Sequence, residues 1–238
     1  MKGRKGGLPT CLIVGVGPGT GAALVRRFAA GGYTVAMLAR DKERLASLEA
    51  AIPQTRAISC DAADPEALHA AIQVVRTELG PPSVVIHNAV GGAFGDFLEI
   101  DPATLEANFQ INTMALLHLA RLTAPDMLTA GAGVLLCTGN TSAYRGRANF
   151  AGFAPTKAAQ RILLEAIARR VGPHGVHAAY VAIDAVIDVP WTRERFPEKP
   201  DSFFVRPTDI AEECFRIAHQ PPSAWSFNVE IRPFAESW

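Results

Sequence analysis

The chain has 238 residues, 49% of them hydrophobic, with 23 Lys plus Arg against 23 Asp plus Glu. A globule of this length buries roughly 70–75% of its unfolded surface and needs no metal or disulfide staple. Zero formal charge removes the usual electrostatic case for nucleic acid or an anionic membrane as partner.

The opening Met1-Lys2-Gly3-Arg4-Lys5 is basic, and the apolar run after it, Cys11–Val14, passes directly into glycines. That run is too short for a signal segment or a membrane span, so a cytoplasmic location is expected. The four cysteines, Cys11, Cys60, Cys137 and Cys214, form no CxxC pair and have no metal-like spacing to histidine. They are expected to pack as small hydrophobes, and no metal site is expected.

Short β-rich runs recur at about Cys11–Val14, Thr34–Leu38, Arg56–Ser59, Val84–His87, Val134–Cys137, Val176–Ile183 and Phe227–Ile231. Helical stretches alternate with them near Ala22–Ala30, Lys42–Ala51, Pro65–Leu79, Pro102–Leu128, Ala154–Val171 and Thr208–His219. Asp64-Pro65 and Asp101-Pro102 place an N-cap before a proline at the first helical position, and Gly31-Gly32 and Gly80 end helices. Seven mostly apolar strands alternating with helices predict an α/β, single-domain, doubly wound Rossmann fold, its parallel sheet covered on both faces. One irregular insertion, about 190–207, holds Pro190, Pro197, Pro200 and Pro207 with Trp191, Phe196, Phe203 and Phe204. It reads either as a lid over a site or as a packed surface loop.

The first strand runs into Val14-Gly15-Val16-Gly17-Pro18-Gly19-Thr20-Gly21, and a helix follows at once. Glycines let the backbone turn sharply and approach a pyrophosphate, whose charge meets the unpaired N–H groups of the helix start. Two registers overlap, Gly15/Gly19/Gly21 and Gly17/Gly19/Ala22. The second strand ends at Leu38-Ala39-Arg40, where an NAD site wants a carboxylate for the ribose hydroxyls. Arg40 instead offers a planar fork suited to a 2′-phosphate, which favours NADP (NADPH) over NAD. The alternative for Arg40 is a solvated surface arginine. Asp41 reads as the N-cap of the next helix.

The ordered set of motifs resembles the short-chain dehydrogenase/reductase family over nearly the whole chain. Beside the glycine loop, Asp61-Ala62 resembles the adenine-contacting acid after strand three, and Asn88-Ala89 the Asn-Ala-Gly turn after strand four, with Val90 in place of Gly. Asn112 matches the family's helix asparagine, and Lys157 matches the lysine of its Tyr-x-x-x-Lys pair. The resemblance implies cofactor contacts from Gly15, Gly17, Gly19, Thr20, Gly21, Asp61, Ala62, Asn88, Ala89, Lys157 and Val186. Asp61 could equally begin a turn with Asp64, and Asn88 could hold adjacent loops together. Asn112, unfavourable in a helix interior, is expected to order water or a distorted helix turn near Lys157.

The chemistry-bearing positions depart from the pattern. The family's catalytic tyrosine falls at Phe153, its catalytic serine at Asn140, and the Pro-Gly after strand six reads Ile183-Asp184. A phenyl ring has no O–H to give a carbonyl oxygen, whereas Asn140 retains an amide donor. Candidates to substitute are Lys157, Tyr144, Thr141 and Ser142 on the loop after strand five, and Asp184 and Asp188 after strand six. The packed readings are a loop aromatic for Tyr144 and a capped loop start for the two aspartates. His87 reads as a packed neighbour of the cofactor.

The expected function is NADP-dependent hydride transfer to or from a carbonyl or alcohol through a non-standard site. The alternatives are a catalytically degenerate NADP(H)-binding regulator or a non-redox enzyme on the same fold. A small-molecule substrate in an apolar pocket near Phe94, Phe97, Phe153 and Trp191 is expected. The resemblance also implies a homodimer or homotetramer through the two long helices.

Overall fold

The computed structural model describes residues 7–235; the basic opening at 1–5 lies outside the described residues. In chain order the elements are β1 (Thr10–Val14), α1 (Thr20–Ala30), β2 (Thr34–Ala39), α2 (Lys42–Ala51), β3 (Thr55–Ser59) and α3 (Pro65–Leu79). Then come β4 (Val84–His87), α4 (Pro102–Phe109), α5 (Ala115–Ala130), β5 (Gly133–Gly139), α6 (Ala154–Val171) and β6 (Val176–Ile183). The chain closes with β7 (Val186–Ile187), α7 (Pro190–Arg195), β8 (Phe204–Val205), α8 (Pro207–Ala218) and β9 (Asn228–Ile231).

Seven parallel strands pair in the order β3-β2-β1-β4-β5-β6-β9, the predicted doubly wound sheet. Side chains alternate between its faces. Cys11, Ile13, Val35 and Met37 pack against α1, α2 and α8. Leu12, Val14, Ala36 and Leu38 pack against α3, α5 and α6. Leu12, Ile13 and Leu38 are each at most 1% exposed, and burying a side chain of that kind stabilises the fold by about 1.5–3 kcal/mol. The capping signals act as read: Asp41, Asp64 and Asp101 each accept a first-turn backbone N–H. All four cysteines are buried. No helix among the described residues is long and apolar enough to cross a membrane.

Two elements differ from the sequence reading. The single helix expected over Pro102–Leu128 is interrupted by a π-helical turn at Gln110–Met114, where buried Asn112 diverts its side chain to neighbouring segments. The 190–207 insertion is largely ordered into α7 and β8. The parallel pairs Val186↔Phe204 and Ile187↔Val205 make β7 and β8 a small two-stranded sheet of their own, which ties the insertion back to the segment just after β6.

The order β2-β1-β4-β5 reverses the winding between β1 and β4. At such a switch point the loops leaving the two carboxyl ends part, and a crevice opens where ligands bind.

Candidate active site

Two cavities adjoin at that crevice. The first, of about 680 Å³, runs from the glycine loop past Arg40 and Asp61. The second, of about 730 Å³, is walled by Phe94, Phe150, Phe153, Ile183, Ile187 and Trp191. Both volumes lie within the range of small-molecule sites. Thr20, Asn88, Val90, Ile187 and Trp191 line both.

The glycine loop shows which register the fold requires. Gly15 has φ +96°, and a Cβ there would strike the Ala89 backbone. A Cβ on Gly21 would meet Gly15 O and Val16, whereas one on Gly17 would meet nothing within 4 Å. The Gly15/Gly19/Gly21 register is therefore the structural one, and Gly17 lines the groove without being sterically obliged. No side chain caps the start of α1, so its first N–H groups face the groove as a ready anion site. Thr20 Oγ1, at the junction of the cavities, is buried without a partner among the described residues, and an orphaned hydroxyl there needs an acceptor.

Arg40 is exposed on the same groove. Asp41 caps α2 and pairs with Arg44, leaving Arg40 with no carboxylate among the described residues. Asp61 and Ala62 also line the groove; the Asp61 carboxylate accepts from Ala63 N at 3.0 Å. Asn88 Nδ2 donates to Gly15 O at 2.7 Å, and its Oδ1 accepts from Thr138 Oγ1 at 2.7 Å. It thus fastens the loop after β4 to the glycine loop and β5, while also lining both cavities.

Behind the apolar cavity lies a buried polar chain. Lys157, 2% exposed, donates from Nζ to Gln160 Oε1 at 2.9 Å. Gln160 Nε2 donates to the Asn112 carbonyl at 2.6 Å, and His87 Nδ1 lies 3.4 Å from it. His87 Nε2 lies 3.2 Å from Ile111 O, which makes Nε2 the donor and Nδ1 the acceptor. Burial holds His87 neutral, down to about 3, and lowers Lys157 to about 8. The Asn112 side chain does not touch Lys157. Its amide clamps Gly91 N and O at 3.0 and 2.7 Å and donates to Thr156 Oγ1 at 2.8 Å. This is the distorted helix turn that the sequence led us to expect, and its link to Lys157 runs through Gln160.

Phe153 is 8% exposed, with Lys157 Nζ 5.7 Å from its ring centroid. Asn140 Oδ1 accepts from Ser142 N at 3.1 Å, which leaves its NH₂ group as the donor available to the cavity it lines. Val186 lines the same cavity. Three candidates are placed elsewhere. Tyr144 lines neither cavity; its hydroxyl donates to Asn228 Oδ1 at 3.3 Å. Asp184 is held by Thr141 Oγ1, Arg145 and Arg232. Asp188 forms a two-bond pair with Arg193 at 2.7 and 2.9 Å, which keeps its carboxyl below the usual range. These carboxylates are committed to ion pairs, and neither lines the apolar cavity. Phe97 is 77% exposed and also lies off it.

Sequence reasoning missed Gln160, although a polar residue three positions after Lys157 shares its helix face. It also missed Arg147 and Arg195, which line the apolar cavity from a loop and a short helix that carry no motif.

The sequence pattern of the family described as short chain dehydrogenase matches residues 9–199. The bovine (Bos taurus) L-xylulose reductase is 28% identical over 166 residues, 69% of this chain and 66% of that protein. That alignment spans just under two thirds of the relative's length. The cyclic-di-GMP-binding biofilm dispersal mediator protein of Escherichia coli (strain K12) is 31% identical over 167 residues, 70% of this chain and 68% of that one. Among solved structures, a short-chain dehydrogenase from Rhodopseudomonas palustris superposes with a TM-score of 0.82 at 29% identity, covering 95% of this chain and 99% of that one. An NADPH-bound short chain oxidoreductase with an atypical catalytic center, from Pseudomonas aeruginosa PAO1, superposes at 0.86 with 21% identity, covering 96% of each chain; at that identity it shows the fold alone. The chain belongs to the short-chain dehydrogenase family.

Proposed function

We propose that the protein is an NADP-dependent oxidoreductase that transfers hydride between a nicotinamide cofactor and a carbonyl or alcohol carbon. The observation that carries this reading is the joined pair of cavities: a glycine-loop groove ending at Arg40 opens directly onto an apolar chamber with Lys157 and Asn140 in its wall. The residues fit a dinucleotide. The α1 N-terminus and Thr20 Oγ1 would meet the pyrophosphate, Asp61 and Ala62 the adenine, and Arg40 a 2′-phosphate. Gly15, Asn88, Ala89, Val186 and Lys157 would hold the nicotinamide half. A metagenomic short-chain oxidoreductase with 26% identity and a TM-score of 0.82 was solved in complex with NADP, which supports the assignment.

The cofactor supplies the hydride, and the chain's residues bind, orient and deliver the proton. With a phenyl ring at Phe153, the ionisable side chains lining the chamber are Lys157, Arg147 and Arg195. Burial lowers Lys157 to about 8, which suits proton transfer near neutral pH. The Asn140 amide donates to the substrate oxygen and polarises the carbonyl. The Lys157 ammonium would give that oxygen its proton. Neutral Lys157 then recovers a proton through the open chamber, because Gln160 offers it only an acceptor oxygen. Replacing the usual acid costs on the order of 10²–10⁴-fold in rate, so slow turnover is expected.

The 190–207 segment serves as the lid, since Trp191, Thr192, Arg195 and Phe196 all line the chamber. The protein works in the cytoplasm as a homodimer or homotetramer through α5 and α6, where Ile162 is 55% exposed. Light scattering at micromolar concentration tests that assembly; a monomer mass contradicts it. The second reading, an NADP(H)-binding regulator, is favoured by Phe153, which leaves the site without a phenol. Calorimetric titration with NADPH beside NADPH-oxidation assays on aldehydes and ketones separates the two. Binding with turnover supports the oxidoreductase, and binding without turnover supports the regulator.

A further inference from the structure

We infer that the apolar chamber takes a substrate with an anionic head group on an apolar body, and that Arg147 and Arg195 hold the head group. Three cationic side chains, Lys157, Arg147 and Arg195, line the chamber, and no Asp or Glu does. In a chain of zero formal charge, that is a local imbalance; Arg147 also borders a smaller adjoining cavity, where Arg145 lies beside Asp184.

Neighbouring arginines are satisfied from within the protein. Arg145 lies 3.6 Å from Asp184, and Arg193 bonds Asp188 and Asp201, each at 2.7 Å. Arg147 and Arg195 have no carboxylate within ion-pair distance among the described residues. The Phe196 ring, its centroid 5.9 Å from the Arg195 guanidinium, braces that group beside the chamber. Arg147 arrives on the loop between β5 and α6 and Arg195 on the last turn of α7, so two separate segments deliver them to one chamber.

The cofactor does not account for this pair. Arg40 and Arg44 line the glycine-loop groove, and neither Arg147 nor Arg195 does. A guanidinium fork pairs bidentately with a carboxylate or a phosphate ester, so either head group satisfies the chemistry. The remaining wall, Phe94, Phe150, Ile183 and Trp191 among it, asks for an apolar body between head group and reacting carbon. The carbonyl in this picture rests on the oxidoreductase reading; the anionic head group does not.

Calorimetric titration of the full chain with octanoate, octyl phosphate and octanamide, with and without NADP, tests the inference. At low salt, at least one anion binds about ten-fold more tightly than the amide, and added salt narrows the gap because both arginines are exposed. The better anion identifies the head group. The double substitution Arg147→Ala with Arg195→Ala reduces the preference to about three-fold or less and leaves octanamide and NADPH affinities as they were. Equal binding of all three probes overturns the inference, as does a preference that survives the double substitution. Anion preference without NADPH oxidation keeps this inference and removes the oxidoreductase reading. NADPH oxidation with neutral carbonyls and no anion preference does the reverse.

Discussion

Lys157 Nζ donates to Gln160 Oε1 at 2.9 Å, and this amide is the ammonium's single hydrogen-bond partner among the described residues. Burial of an ammonium without a carboxylate beside it is what lowers Lys157 to about 8. Gln160→Glu places a negative charge at that atom and should return Lys157 toward the ordinary lysine range. If the ammonium is the proton donor, reduction holds below the Lys157 pKa and falls above it. The substitution then moves that falling limb to higher pH by about one unit or more. Titration of the Lys157 side chain by NMR, beside the pH–rate profile, checks both. An unmoved limb with a moved lysine removes Lys157 from the proton-donor role.

The same depression has a stability consequence. Between about 8 and the ordinary value of 10.5, the unfolded chain binds a proton at Lys157 that the folded chain does not. Stability from this group therefore rises with pH across that window. Lys157→Met removes this group's share of the slope, read as the difference between parent and variant in denaturant titrations at pH about 8 and about 10.

Arg40 should set cofactor choice. Its fork can pair with a 2′-phosphate that NADH lacks, so Arg40→Ala should weaken NADPH binding by about ten-fold or more and leave NADH binding unchanged. Equal losses for both cofactors would show that Arg40 reads something other than the phosphate.

Gly15 and Gly17 should behave oppositely although both sit in the glycine loop. Gly15→Ala forces a side chain onto a residue at φ +96° and into the Ala89 backbone, and should cost about 1–3 kcal/mol of stability together with NADPH binding. Gly17→Ala meets open space and should stay within about 0.5 kcal/mol. Thermal melts with and without NADPH distinguish the two.

That contrast also marks how far the residues alone could be read. The alternation of apolar strands with capped helices was legible because local chemistry decides it: Asp41, Asp64 and Asp101 cap the helices they precede. The glycine register was not, because Gly15 is compelled by Ala89, a residue over seventy positions away. A distorted turn at Asn112 was legible, but its cause, a clamp onto Gly91 and Thr156, was hidden for the same reason. Tyr144, Asp184 and Asp188 had suitable chemistry in the right stretch of chain, but partners contributed by distant segments or by the next helix decided their roles. Arg147 and Arg195 carried no signal at all, because the absence of acid around a cavity is a three-dimensional property.

Phe153 and Asn140 stand where a phenol and a serine hydroxyl would act in carbonyl reduction. Phe153→Tyr adds one hydroxyl near Lys157 with little change of volume. Asn140→Ser keeps an oxygen able to cap Ser142 N. Both groups would address one substrate oxygen, so their effects should couple rather than add. The measurement is the initial rate of NADPH oxidation by the parent, both single variants and the double variant. It is run over a small panel of aldehydes and ketones, from mildly acidic to mildly alkaline pH. If the chamber serves carbonyl reduction, the double variant exceeds the parent by about 10²-fold and exceeds either single variant. A double variant that binds NADPH but reduces nothing faster than the parent would contradict that role for the chamber.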